Sequence, residues 1–325
     1  MTQLNKVNNR VLVVYHYYEK DHSYIDNFSH FIRFAYQPDL DYLIVVAGSY
    51  SIELPRAENI TYFFATNQNF DFGGYAQAIE ALQFDTGYEY FIFVNSSVRG
   101  PFLPAYSKKT WIENLLDHFD QDVGIVGTVI SLTPSHHAIA KLYHEKYGYL
   151  DRNRNILSHV QSTCYALPRS ILCHLIATGF YETAHSLSKD ETVRDYEIRL
   201  SQILLEQGCN LKCLLPEYNS FDYRFLDREI NPFSREGDSG FEGSYFGRTV
   251  HPYEAMFIKT SRNTFSKEYL YQLANSMSLQ FPAATNVSST KVIEDYIQAC
   301  EKIVRDYKNS SKNQESLWKK VFRSS

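Results

Sequence analysis

Four short runs in this chain, 10–18 (RVLVVYHYY), 41–49 (DYLIVVAGS), 60–67 (ITYFFATN) and 88–97 (YEYFIFVNSS), are apolar almost without interruption. A strand with one wet face alternates apolar and polar residues, whereas a run that is apolar throughout belongs to a strand covered on both faces. The segments between and after them have a different period. In 23–36, Ile25, Phe28, Phe31, Ile32 and Ala35 recur at three- and four-residue intervals and make one helix face. Residues 73–84 and 109–119 also read as helices, and 123–131 (VGIVGTVIS) as a further strand. Such alternation predicts an α/β fold: a Rossmann-like, mainly parallel sheet with helices on both faces and binding loops at the carboxyl ends of its strands.

The second half is more mixed. Residues 159–180 read as a short strand and then a helix, and 191–218 as a helix stopped at Gly208 and followed by a strand. Residues 227–252 are rich in Gly, Pro and charge and lack any period, so they are expected to form a mobile loop at a functional site. The tail from 288 to 325 carries the apolar stripe of an amphipathic helix. The expected organisation is one domain over 1–265 and a helical C-terminal extension over 266–325.

Several function classes are excluded by composition. The net charge of −5 offers no basic field for nucleic acid. Five scattered cysteines without a C-x-x-C pair fit a reducing cytosol and neither a disulfide framework nor a zinc site. No apolar run reaches the roughly 18 residues a membrane span needs, and the N-terminal one is too short for a signal peptide. A cytoplasmic protein is expected, soluble or lying on the inner face of a membrane. Trp318, Val321 and Phe322 beside Lys319, Lys320 and Arg323 fit an anionic membrane surface, or equally a helix end docked on its own domain.

Dinucleotide, P-loop, nucleophile-elbow and zinc-protease motifs are all missing. What remains is a series of polar motifs at predicted strand ends. In NQNFDFGGY (67–75), Gly73 and Gly74 allow backbone to approach a ligand, with Asn67 and Asp71 beside them. The strand FIFV runs into Asn95, Ser96 and Ser97 and then turns at Arg99-Gly100-Pro101. A third motif, VQSTCYALP, contains Gln161 and Ser162; a fourth, RDYEIRLSQILLEQG, holds Asp195 and Glu197 near a helix start. Last, HPYEAMFIKTSR gathers His251, Lys259 and Arg262, cationic groups suited to a diphosphate.

Taken in order, these motifs resemble bacterial nucleotide-sugar glycosyltransferases of the A fold type. The match is nearest to the rhamnan-synthesis protein F group and related capsule and lipopolysaccharide transferases, over roughly residues 10–262. The resemblance implies transfer of a hexosyl or deoxyhexosyl group from a nucleotide-sugar donor to a hydroxyl of a glycan or lipid-linked glycan, with inversion. By position, Glu197, eleven residues before Gly208, would be the catalytic base, with Asp195 as the fallback. Asp71, Gly73 and Gly74 would hold the nucleoside end of the donor, and Tyr15 and His16 would sit by the base. Gln161 and Ser162 would face the donor sugar or the acceptor.

One departure stands out. Asn95-Ser96-Ser97 occupies the place of the Asp-x-Asp motif that binds Mg²⁺ or Mn²⁺ in that fold. Amide and hydroxyl oxygens make a weak site for a hard cation. The expectation is therefore a metal-independent enzyme in which His251, Lys259 and Arg262, with Arg99 as a fourth, neutralise the leaving diphosphate. The alternatives are Mg²⁺ or Mn²⁺ dependence, a retaining transferase on the same fold, and a non-catalytic subunit that binds nucleotide sugar or glycan.

Overall fold

Seven strands assemble into one sheet, in the order β10-β6-β9-β4-β1-β2-β3. The computed structural model describes residues 10–82, 87–148, 155–182, 185–278 and 290–321. The chain begins with β1 (Val11–Tyr17), α1 (His22–Ala35), β2 (Asp41–Ala47), β3 (Ile60–Ala65), α2 (Phe70–Leu82) and β4 (Tyr90–Asn95). A two-residue β5 (Val98–Arg99) and α3 (Trp111–Leu116) lead to β6 (Val123–Gly127), β7 (Ile130–Pro134) and α4 (Ala138–Tyr147). Next come β8 (Ile156–Val160), β9 (Cys164–Pro168), α5 (Arg169–Ala177) and α6 (Lys189–Thr192). A π-helical turn (Val193–Ile198) joins α6 to α7 (Arg199–Glu206), followed by β10 (Asn210–Cys213) and α8 (Pro216–Asn219). The last elements are α9 (Pro252–Ala255), β11 (Ile258–Lys259), α10 (Lys267–Ser278) and α11 (Lys291–Val321).

β1 pairs in parallel with β2 and β4, β2 with β3, and β10 with β6; β9 runs antiparallel between β4 and β6. The expected mixed, mainly parallel sheet is what forms. Its continuous apolar strands are covered on both sides. Leu12, Val14, Leu43, Val45, Phe91 and Phe93 face α2, α5 and α7, while Val13, Tyr15, Ile44, Val46, Ile92 and Val94 face α1, α3, α10 and α11.

Three local expectations are corrected. The run 123–131 is two strands, because β9 bonds β6 only as far as Thr128, whose N–H reaches the Cys164 carbonyl. Beyond it, β7 pairs with β8 in a separate sheet; hydropathy cannot mark a change of partner inside one apolar run. Helix α2 starts at Phe70, not 73, because Asn69 and Phe70 take φ of 61° and 57° and turn the chain into it. A bulky residue there is strained. It is held because Asn69 donates to the His185 carbonyl and accepts from Leu187 N–H. Helix α4 was not anticipated.

Segment 227–252 is irregular but hydrogen-bonded. Asn231, fully buried, donates to the Ser244 carbonyl and accepts from the N–H groups of Phe233 and Phe246.

The C-terminal helices dock through a buried polar cluster. Arg99, 2% exposed, donates to Asn27 at 3.0 Å and pairs with Asp26 at 3.4 Å. Its guanidinium lies over the rings of Tyr271 in α10 and Tyr296 in α11. Asp26 also accepts from Tyr271 and Lys267, and His30 bonds Tyr296 at 2.7 Å. The side chains of Trp318 to Arg323 lie outside the described residues. No described helix is long and apolar enough to cross a membrane.

Candidate active site

At the carboxyl ends of the adjacent parallel strands β1 and β4 lies a cleft of about 500 Å³, where ligands bind in open α/β sheets. His16, Asn95 and Ser96 are buried at its floor; Lys20, Lys189 and Phe70 are exposed at its rim. Ser96 ties the two strand ends together: its hydroxyl donates to the Tyr18 carbonyl and accepts from the Tyr18 N–H, both at 3.0 Å.

Asn95 has a different task. Its Oδ1 accepts from the N–H and hydroxyl of Ser97. That fixes the amide so that Nδ2 donates to Asp71 Oδ2 at 2.7 Å. The strand end, which has no carboxylate of its own, thus positions one arriving from the first turn of α2. Burial lifts the Asp71 carboxyl to about 6, with the Glu197 charge adding to the lift against the Asn95 amide and the N–H groups of Asp71 and Phe72.

The two glycines that follow serve packing. A Cβ on Gly73 would fall 1.8 Å from the Gln68 carbonyl oxygen, and one on Gly74 would fall 2.5 Å from the His16 ring. His16 is 3% exposed and its Nε2 has no partner among the described residues; burial holds it down at about 3, so the ring is neutral. Gly74→Ala must displace this ring from the cleft floor. Urea unfolding is expected to register a loss of about 1–3 kcal/mol.

Glu197 stands on the π-helical turn, a rare geometry that recurs at functional sites. Residues two apart on a helix face different ways, so Asp195 and Glu197 diverge. Glu197 lines the cleft; its Oε2 accepts from the Ser162 N–H at 3.1 Å and from the Ser162 hydroxyl, and its Oε1 lies 3.6 Å from His159 Nε2. Burial alone would raise this carboxyl, but His159, Lys259 and Ser162 together bring it down to about 2. Asp195 instead lines a separate cavity, bound by Arg194, Lys146 and Tyr147.

Of the other expected residues, Asn67, Ser96, Ser97, Ser162 and Lys259 line the cleft. Lys259 is delivered there by β11, which pairs antiparallel with β5 and sets Lys259 opposite Val98. Four placements are corrected. Arg99 is consumed by the buried cluster with Asp26, and Tyr15 packs between Phe28 and Phe31 on the opposite face of the sheet. His251 caps α9 and bonds Tyr269 at 2.8 Å. Arg262 pairs with Asp238 and, with Gln161, lines an adjoining chamber of about 150 Å³ that shares Glu197 and Lys259 with the cleft.

Sequence reasoning missed Lys20, Lys189, Tyr18, Tyr24 and Phe70, all cleft-lining. Lys20, Tyr18 and Tyr24 stand in or beside the loop after β1, so the carboxyl-end rule was a usable signal for them. Lys189 had none; Asn69 brings its segment in from 116 to 118 residues away. Among the described residues, Lys20, Lys189 and Lys259 form no salt bridge, and no three His, Cys, Asp or Glu side chains cluster as metal ligands do. Asn95 turns its NH₂ toward Asp71 and its carbonyl toward Ser97, and both Glu197 oxygens face protein donors. That donor set fits a hard divalent cation poorly.

No protein-family model matches the chain, and no curated protein matches it. Solved structures similar to it include the galactosyltransferase LgtC in complex with donor and acceptor sugar analogues, at 12% identity over 82% of this chain and 95% of that one, with a TM-score of 0.38. Mouse xyloside xylosyltransferase 1 matches at 10% identity over 80% of this chain and 100% of that one, also with a TM-score of 0.38. A mannosyltransferase from Pyrobaculum calidifontis, in complex with GDP-Man and Mn²⁺, matches at 13% identity and a TM-score of 0.37, over 63% of this chain and 54% of that one.

Proposed function

We propose that the chain is a glycosyltransferase that moves a sugar from a nucleotide-sugar donor to a hydroxyl of a surface-polysaccharide acceptor, with inversion and without a resident metal. The observation that carries this reading is the cleft at the ends of β1 and β4, which combines lysines free of salt bridges among the described residues with two carboxylates over an uncharged amide and hydroxyl floor. Lys259, with Lys20 and Lys189 at the rim, would meet the diphosphate and take the part first expected of His251, Arg262 and Arg99. Tyr18, Tyr24 and Phe70 give the nucleoside an aromatic mouth. Asp71, Asn95, Ser97 and Glu197 would surround the sugar. The chamber holding Gln161 and Arg262 opens beside Glu197 and suits the acceptor's hydroxyl groups. An acceptor anchored in a membrane agrees with the basic and aromatic residues at 318–323.

The test is nucleoside diphosphate release from UDP-, GDP- and dTDP-sugars with glycoside acceptors in EDTA, with NMR of the product's anomeric carbon. Release with inverted configuration is expected. Release that requires Mn²⁺ would overturn the metal-independent part, and a retained configuration would overturn inversion. Binding of nucleotide sugar without release under any condition would make the protein a binding subunit.

A further inference from the structure

Two carboxylates share this cleft, and their surroundings are opposite. Glu197 is held on both sides: Oε2 accepts from the N–H and hydroxyl of Ser162, and Oε1 lies 3.6 Å from the His159 ring. A carboxylate held this way is a fixed anion with little appetite for a proton. Asp71 accepts from one side chain, the Asn95 amide, whose orientation Ser97 locks. The His16 ring also lines this cleft and adds no charge; its buried Nε2 lies against Gly74 and has no partner among the described residues.

We infer that Asp71, and not Glu197, accepts the proton of the attacking acceptor hydroxyl. This rests on the glycosyl-transfer reading above and reassigns the acid–base role within it. The acceptor oxygen forms its bond to the anomeric carbon as its proton passes to an Asp71 oxygen. The bond from that carbon to the diphosphate oxygen breaks, and its electron pair leaves with the diphosphate. Glu197 remains ionised throughout and stabilises positive charge at the anomeric centre. Pairs of carboxylates whose environments drive their proton affinities apart divide the work in this manner, and a base is most effective when it titrates near the working pH.

The charged and titratable groups around Asp71 are Glu197 from the π-helical turn, Lys259 from β11, Lys189 from α6, and Lys20 and Tyr24 from the loop and helix after β1. Tyr75 on its own helix and Tyr165 on β9 also sense its charge, and burial keeps both phenols protonated. Burial and Glu197 outweigh the rest and set Asp71 at about 6, against about 2 for Glu197.

The experiment measures nucleoside diphosphate release against pH for the wild type, Asp71→Asn and Asp71→Glu, using UDP-, GDP- and dTDP-sugars with glycoside acceptors. Binding of the same nucleotides is followed by thermal shift. Wild-type kcat/KM should fall about tenfold per unit below pH 6, and Asp71→Asn should lose roughly 10²- to 10⁴-fold in turnover while still binding nucleotide. Asp71→Glu should recover part of the rate. A wild-type profile flat down to pH 4.5, or an Asp71→Asn variant within threefold of wild type, would overturn the assignment and leave the donor-cleft reading standing. Wild type that binds no nucleotide would overturn both.

A substrate-free measurement reads the same group. A carboxyl raised in the folded state binds more protons there than in the unfolded state, so wild-type stability falls as pH rises from about 4 to about 6. Asp71→Asn escapes that loss. Its melting temperature should exceed wild type at pH 7.5 by a margin that closes below pH 4. A margin independent of pH would contradict the inference.

Discussion

Asp26→Ala lowers the stability of the fold by about 3–5 kcal/mol, and Arg99→Ala by less, about 3 kcal/mol, because each leaves its partner charge buried with fewer compensating groups. The asymmetry follows from the surroundings. Asp26 keeps Tyr271 and Lys267 when Arg99 is removed, whereas Arg99, 2% exposed, keeps among the described residues only Asn27 as a hydrogen-bond acceptor when Asp26 is removed. Both changes also loosen α10 and α11, since Arg99 is stacked on Tyr271 and Tyr296. Urea denaturation measures the losses, and the double variant should lose clearly less than the sum of the two singles. If Arg99 gripped a diphosphate instead, Arg99→Ala would keep its urea midpoint and lose nucleotide affinity; that outcome would restore the motif's first assignment.

Lys259→Ala weakens binding of a nucleoside diphosphate roughly 10- to 100-fold, the range expected when one charge-assisted hydrogen bond is removed from a half-buried site. Lys259 is held in place from both sides: β11 pairs with β5, and the next residue, Thr260, donates its N–H to the Ser97 carbonyl. The same change removes one of the groups that depress Glu197, so that carboxyl should move up from about 2. Calorimetry on Lys259→Ala and Lys259→Arg checks this. The arginine variant should keep most of the affinity, and an alanine variant within threefold of wild type would remove Lys259 from the diphosphate site. Lys20 and Lys189 are exposed and screened by salt, so their single losses should be smaller and should shrink further at high ionic strength.

The architecture was legible because its central strands are buried on both faces and their hydropathy is continuous. β1, β2, β3 and β4 each fell within a predicted run, and Gly208 ends its helix as expected. The carboxyl-end rule located the cleft, since His16, Asp71, Asn95 and Ser162 line it together. Less legible was what requires a direction in space. Asp195 and Glu197 are two residues apart on the π-helical turn; the spacing to Gly208 favoured Glu197, and Glu197 is the one that lines the cleft. Arg99 follows the strand-end motif directly, yet its side chain turns under α1 to reach Asp26, a partner 73 residues away. Lys189 enters the cleft through bonds between Asn69 and the 185–187 backbone, a pairing no local period announces. Asn95 was singled out for what it lacks, and its role became visible only once Ser97 had fixed which end of the amide faces Asp71.

The central claim, that the cleft at the ends of β1 and β4 is a donor site run by lysines, is tested most directly by calorimetric titration of the wild type with UDP, GDP and dTDP in the presence of EDTA. At least one of these should bind with a dissociation constant unchanged by EDTA, and Lys259→Ala should weaken that same nucleotide. Binding that appears only with Mn²⁺ or Mg²⁺, or no binding by any of the three with and without metal, would contradict the account.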